Sequence, residues 1–236
     1  MSLPHPENKN LPANFVYLHQ VDPTIVTDLK YFTHHNFVGR PLPGYEANVV
    51  ILTEPAAMAL KAAQKDANAF GLTLKVYDAY RSQETVDEFI RWAEDIDDQV
   101  MKAEFYPDIN KADVFDLGYV AKRSTHSRGS TVDLTLVPLP VPDQPQWQPG
   151  DPILDARLPE GQRQPDNSID MGTGFDCFDD LSHPFNPNLP VHVRANRLLL
   201  RTLMEKHGFR GITTEWWHFT LKDEPYPDTY FDFPVR

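Results

Sequence analysis

Cysteine is almost absent from this chain: Cys177 stands alone among 236 residues. One thiol cannot form an intramolecular disulfide, which favours a reducing compartment. Its solitude also excludes a Cys₄ or Cys₂His₂ metal site, so any metal must be held by imidazole and carboxylate. Cys177 lies in the run Phe175-Asp176-Cys177-Phe178-Asp179-Asp180 and reads as a buried, idle thiol rather than a nucleophile. Long apolar runs are missing as well. No stretch reaches the roughly 18 apolar residues of a membrane span. Residues 1–8, Met-Ser-Leu-Pro-His-Pro-Glu-Asn, carry neither a basic n-region nor an apolar h-region. No secretory signal is therefore expected, and the expected location is cytoplasmic. Basic charge is in deficit: 22 Lys and Arg against 34 Asp and Glu leave a net charge of −12. Such a surface repels phosphate backbones and anionic lipid, which argues against nucleic acid or a membrane as partner.

What is present is the composition of a folded domain. Apolar residues make up 41% of the chain, with 14 Phe, 9 Tyr and 4 Trp, enough for a core without covalent staples. We read residues 1–236 as one domain. Residues 1–50 suggest an extended arm with short strands at Phe15–Leu18 and Thr24–Val26. A helix is expected over 54–70, with Thr53 as N-cap, Pro55 in its first turn and Gly71 as its stop. Residues 73–79 alternate like a half-buried strand. A second helix is expected over 82–103, capped by Ser82. Thr131–Val137 is the clearest strand, β-branched and ended by Pro138. Residues 138–168 hold eight prolines and form a long irregular loop. A third helix is expected over 192–207, then a final strand over 212–221. Without regular βαβ alternation, this pattern predicts an α+β fold: a central antiparallel sheet flanked by helices.

Two segments concentrate chemistry. In Ser124-Thr125-His126-Ser127-Arg128-Gly129-Ser130-Thr131-Val132-Asp133, Gly129 permits a tight turn that folds His126 back toward Asp133. An imidazole and a carboxylate suit a borderline cation such as Zn²⁺. His218, in Glu215-Trp216-Trp217-His218, is the candidate third ligand, leaving a fourth position for water. Glu215 is placed to exchange protons with such a water, whose pKa falls toward about 7 on zinc. The spacing carries a cost: positions three apart on a flat strand face opposite ways, so this pair needs a bulge, a strong twist or a strand end. The competing reading makes His218 a core histidine and His126 a surface one. Asp133, among Val132, Leu134, Leu136 and Val137, must then be paired or face solvent. Arg81 sits between a strand and a helix. It suits a carboxylate or a developing oxyanion, or a plain ion pair with Asp78 or Glu84.

These pieces together resemble the VanX-type D-alanyl-D-alanine dipeptidases, within the zinc D,D-peptidases. The resembling stretches are Lys30-Tyr31-Phe32 with Asn36-Phe37-Val38-Gly39, Asp78-Ala79-Tyr80-Arg81, Ser124 to Leu136, Asp170-Met171-Gly172-Thr173-Gly174-Phe175-Asp176, Asn196-Arg197 to Gly208-Phe209, and Glu215 to Phe219. The resemblance implies the zinc D,D-peptidase (hedgehog/DD-peptidase-like) fold, with one Zn²⁺ held by His126, Asp133 and His218. It implies Glu215 as catalytic acid/base and Arg81 as transition-state stabiliser. Ser124, Tyr31, Tyr45 and Asp170 are similar to positions that contact the dipeptide. The implied activity is hydrolysis of free D-Ala-D-Ala, tied to cell-wall peptidoglycan chemistry. The stretch 138–168 looks longer than the family's loop and is expected to reshape the substrate entrance. Two alternatives accompany this reading: a zinc D,D-carboxypeptidase trimming longer cell-wall peptides, and a non-catalytic zinc-holding binding module.

Overall fold

The computed structural model describes residues 11–236, so the reading of residues 1–8 lies outside the described residues. Among these, the strands are β1 (Phe15–Tyr17), β2 (Val26–Thr27), β3 (Ile51–Thr53), β4 (Leu72–Asp78), β5 (Thr131–Pro138), β6 (Phe209–Gly211) and β7 (His218–Leu221). The helices are α1 (Leu18–Val21), α2 (Glu54–Ala69), α3 (Gln83–Glu94), α4 (Lys102–Phe105) and α5 (Val191–Lys206). No helix is long and apolar enough to cross a membrane among the described residues.

The main sheet has the order β2-β4-β5-β7-β6, with the β-branched β5 at its centre. Its β4/β5, β5/β7 and β6/β7 pairs are antiparallel, as expected. The edge corrects the expectation of a purely antiparallel sheet: β2 pairs with β4 in parallel, so the sheet is mixed. The chain between them passes through β3 and α2, a crossover long enough for parallel pairing. Strands β1 and β3 form a separate antiparallel pair.

Helix α2 forms on a stripe of small apolar residues: Ala56, Leu60, Ala63 and Ala67 are fully buried. It packs on β4 and α5, and α5 packs on β6. Thr53 stands at the expected cap position, but its hydroxyl meets Ser130 Oγ at 2.6 Å rather than capping the helix. Ser82 does cap α3, accepting the Thr85 N–H at 3.2 Å. That helix stops at Glu94, short of the expected 103. Asp95, Asp97 and Asp98 follow, and negative charge opposes the dipole at a helix C-terminus. The expected strand over 212–221 is also interrupted: β6 ends at Gly211 and β7 starts at His218.

Strands β4 and β5 are buried on both faces rather than half-buried. The irregular stretch 138–168 and the segment after it supply the second cover. Lys75, fully buried in β4, donates to Asp166 at 2.7 Å and Asn167 at 2.8 Å. Tyr77, two positions on, bonds Asp166 at 2.9 Å and stacks on Phe175 at 4.7 Å. Ile169 N–H returns to the Leu136 carbonyl at 2.9 Å. Buried apolar side chains from Phe15 through Val235 make one continuous core cluster.

Candidate metal centre and active site

Neighbouring strands place three acidic or imidazole side chains in one row. Asp78 ends β4, Asp133 lies in β5 and His218 opens β7. The pairing sets Asp78 opposite Asp133 and Asp133 opposite His218. Residues directly paired across antiparallel strands share a face. A register shift between Val76 and Asp78 brings Asp78 into this row, as bulges commonly re-aim a side chain. His126 arrives from a short 3₁₀ turn, Thr125–Arg128. Ser124 caps that turn by accepting the His126 N–H at 3.2 Å, and Gly129 closes it in the left-handed region at φ 83°.

The result is a tight convergence. His126 Nε2 lies 3.2 Å from Asp133 Oδ2, and His218 Nδ1 lies 3.1 Å from Asp133 Oδ1. The two ring nitrogens are 3.3 Å apart, and one ligand atom from each residue falls within 4.8 Å of the others. The remote ring nitrogens are engaged elsewhere: His126 Nδ1 at 2.6 Å from the Ala79 carbonyl, His218 Nε2 at 3.2 Å from Thr125 Oγ1. A carbonyl only accepts, so His126 carries a proton on Nδ1. Its Nε2 lone pair then faces a carboxylate oxygen, which is repulsive without a cation between them. Protonating His126 would pair it with Asp133 Oδ2. Asp133 Oδ1, also buried, has His218 Nδ1 beside it at 3.1 Å, so the one carboxylate faces both imidazoles. A divalent ion satisfies all three groups, and oriented remote nitrogens are what such ligands use. The residues therefore fit a metal, and His126, Asp133 and His218 could hold it.

Glu215 lies in the irregular segment before β7, with Oε2 3.6 Å from His218 Nδ1. The awkward three-residue spacing is relieved because the strand starts only at His218, so Glu215 is not bound by strand alternation. Burial raises its carboxyl pKa against the pull of His218. For His218, burial disfavours the cation, but the bond to Asp133 and the charges of Asp133 and Glu215 together outweigh it, and the net direction is upward.

These groups line a cavity of about 250 Å³ that also admits Tyr31, Arg81 and Ser124. Arg81 is almost buried, its Nε 3.0 Å from Asp78 Oδ2, and its guanidinium lies 5.0 Å from the Tyr31 ring and 4.9 Å from Phe89. Burial works against that charge, and Asp78, Tyr31, Tyr45 and Asp133 together more than restore it. Of the alternatives open for Arg81, the Asp78 ion pair is present and the Glu84 pair is not; the same guanidinium still reaches the cavity. Tyr45 does not line the cavity. It stands behind Asp78 and donates its hydroxyl to that carboxylate, through which it touches both Arg81 and, at 3.3 Å, His126 Nδ1.

Asp170 is not brought to the cavity either. Its carboxylate is bound by Arg163 at 2.7 Å, His192 at 3.1 Å and the Gly172 N–H at 2.8 Å. Asp176 lines the cavity in its place, accepting the Tyr31 hydroxyl at 2.7 Å. Burial pushes its carboxyl well above the usual range. Sequence reasoning stopped six residues short, at the first acid of the Asp170–Asp176 stretch. Asp176 also holds a positive φ of 57°, unusual outside glycine, which only the backbone reveals. None of residues 138–168 lines the cavity, so that stretch does not shape its wall. Cys177 is buried, its thiol pushed up to about 12 by burial, consistent with an idle side chain.

The sequence model of the Peptidase_M15 family, described as D-ala-D-ala dipeptidase, matches residues 12–140 and 161–236. The intervening 141–160 fall inside the long irregular connection. A D-alanyl-D-alanine dipeptidase of Streptomyces coelicolor is 40% identical over 225 residues, covering 95% of this chain and 100% of the relative. One of Enterococcus faecalis is 40% identical over 221 residues, covering 94% and 98%. One of Escherichia coli K12 is 31% identical over 209 residues, covering 89% and 85%. With matches of this length on both sides, the chain belongs to the D-Ala-D-Ala dipeptidase family of peptidases.

Proposed function

We propose that the protein is a zinc-dependent dipeptidase that hydrolyses free D-Ala-D-Ala. The observation that carries the reading is the convergence of two imidazoles on one buried carboxylate beside Glu215 in a small cavity. His126, Asp133 and His218 are the ligands, and two nitrogens with one oxygen suit Zn²⁺ in a tetrahedral site with one open position. When bound, zinc supplies Lewis acidity to a carbonyl and makes water more acidic. Glu215 takes the proton from the attacking water as the new C–O bond forms. It returns a proton to the nitrogen as the C–N bond breaks, so two amino acids leave. The upward pull on its carboxyl keeps it basic enough for this exchange. Arg81 stabilises the negative oxygen of the tetrahedral species, a role that a pre-positioned, desolvated cation performs well. Asp78 and Tyr45 hold Arg81 and His126 in place.

Asp176, with Tyr31, is the acceptor for the substrate's free ammonium. An arriving cation favours the ionised carboxylate that burial alone disfavours. An ammonium reader inside a cavity this small favours a dipeptide over a longer cell-wall peptide. The presence of Glu215 and Arg81 favours an enzyme over a zinc-holding binding module. The test is release of D-alanine by zinc-loaded protein from D-Ala-D-Ala, L-Ala-L-Ala and a pentapeptide ending in D-Ala-D-Ala. We expect cleavage of the D,D-dipeptide alone, and its loss in Glu215→Gln. Preference for the pentapeptide would overturn the dipeptidase reading. Inert wild type with full zinc content would overturn the enzyme reading.

A further inference from the structure

We propose that Arg123 is the residue that reads the substrate's terminal carboxylate; this rests on the dipeptidase reading above. The cavity wall carries two guanidinium groups, Arg81 and Arg123. They are in opposite situations. Arg81 is buried and held by Asp78, which fits it to the reacting centre. Arg123 is exposed at the mouth and has no ion pair or hydrogen bond among the described residues. Its guanidinium is nevertheless positioned, lying 5.0 Å from the centroid of the Tyr230 ring. The neighbouring Arg128 also lies against Tyr230, at 5.9 Å, but it is spent on Glu224 through bonds of 2.9 and 2.8 Å. Arg123 is thus the one lining cation whose charge nothing in the described protein offsets.

Its place in the chain adds to this. Arg123 directly precedes Ser124, whose hydroxyl caps the His126 turn, so it is tied to the ligand residue by three peptide units. The cavity is therefore polar in a definite sense, with Asp176 and Glu215 contributing carboxyl groups inside and Arg123 a cation at the mouth. A zwitterionic dipeptide matches both ends. A guanidinium stacked on a ring keeps its planar edge free for two parallel bonds to a carboxylate, a geometry an ammonium cannot offer. Stacking also lowers the entropy cost of holding the long side chain there. On an acidic protein, an uncompensated cation at the entrance further draws the anionic end of the substrate inward.

The experiment measures KM and kcat of zinc-loaded wild type, Arg123→Ala, Arg123→Lys and Lys122→Ala on D-Ala-D-Ala and on its C-terminal carboxamide. Losing a charge-assisted contact at the carboxylate is expected to raise KM about tenfold or more in Arg123→Ala, with kcat within about twofold. Arg123→Lys recovers part of the loss, and Lys122→Ala, which removes an adjacent exposed charge, leaves KM unchanged. Wild type prefers the free acid to the carboxamide, and Arg123→Ala treats the two alike. An active Arg123→Ala that keeps wild-type KM and wild-type preference for the free acid overturns the assignment while leaving the dipeptidase reading intact. Equal KM increases for Arg123→Ala and Lys122→Ala overturn it too, by showing a diffuse charge effect. A zinc-loaded wild type that cleaves neither compound removes the underlying reading and the assignment with it.

Discussion

Replacing Gly129 by alanine tests the geometry that joins His126 to Asp133. Gly129 sits at φ +83°, and a Cβ built there lies 2.2 Å from Phe15 Cε1, 2.5 Å from Cζ and 3.2 Å from Thr53 Cγ2. The first two distances are far inside van der Waals contact, so something must move. The glycine backbone is pinned, since its carbonyl accepts the Thr53 N–H at 2.8 Å and its N–H donates to the His126 carbonyl at 3.0 Å. The Phe15 ring is pinned as well, with Phe231 at 5.0 Å, Phe233 at 5.1 Å and Tyr80 at 5.6 Å around it. The left-handed backbone costs alanine about 1–2 kcal/mol. Forcing an extra carbon into a packed aromatic cluster costs about 1–3 kcal/mol more. The sum is a loss of roughly 2–5 kcal/mol, a large share of a typical domain's stability. Equilibrium urea denaturation with a chelator present reads this without the contribution of bound metal. In a Phe15→Leu background the steric part should shrink, leaving mainly the backbone part. A wild-type-background loss below about 1 kcal/mol, or an equal loss in both backgrounds, refutes the argument.

Other predictions follow from the same geometry. Chelation should lower the melting temperature and added Zn²⁺ restore it, because a ligand that binds only the folded state stabilises it; zinc stabilisation that survives undiminished in His126→Ala would contradict the ligand set. Asp78→Asn should weaken metal affinity or activity about 10–100-fold with secondary structure unchanged by circular dichroism, because it supports both His126 and Arg81. Asp176→Asn should raise KM for the dipeptide, whereas Asp170→Asn should leave KM alone and act on stability. Burial would raise the Asp170 carboxyl, but Arg163, the Gly172 N–H and His192 hold it below its ordinary value. A depressed folded pKa gives stability that is present above the unfolded pKa of about 3.9 and lost as pH falls below it. Asp170→Asn should therefore flatten the acid limb of stability against pH, and an unchanged limb would show the pairing to be worth little.

The elements that could be read in sequence are those whose cause is local. Ser82 capping α3, the alanine stripe of α2 and the β-branched β5 each depend on residues within one turn or one pleat. The misreadings have longer-range causes. Strand β2 joins its partner in parallel because of where a distant crossover returns, and two residues carry no such signal. Burial of both faces of β4 depends on Asp166 and Phe175, nearly a hundred positions away, meeting Lys75 and Tyr77. The gap between β6 and β7 was hidden because Ile212 to Trp217 has strand-like composition while its backbone turns.

The sequence by itself determined which atoms were available for chemistry. With one cysteine, a metal had to rest on imidazole and carboxylate, and His126, Asp133, His218, Glu215 and Arg81 were the residues with a reason to carry function. Tertiary structure decided which groups share the cavity. Strand register set Asp133 opposite both Asp78 and His218, a bulge turned Asp78 into that row, and the late start of β7 released Glu215 from the alternation that would have pointed it away. It also drew Asp170 into an Arg163 pair, put Asp176 in the cavity and left Tyr45 behind Asp78. Residue type fixes what a side chain can do, but which partner it meets depends on contacts between positions far apart in the chain, and no local pattern encodes those.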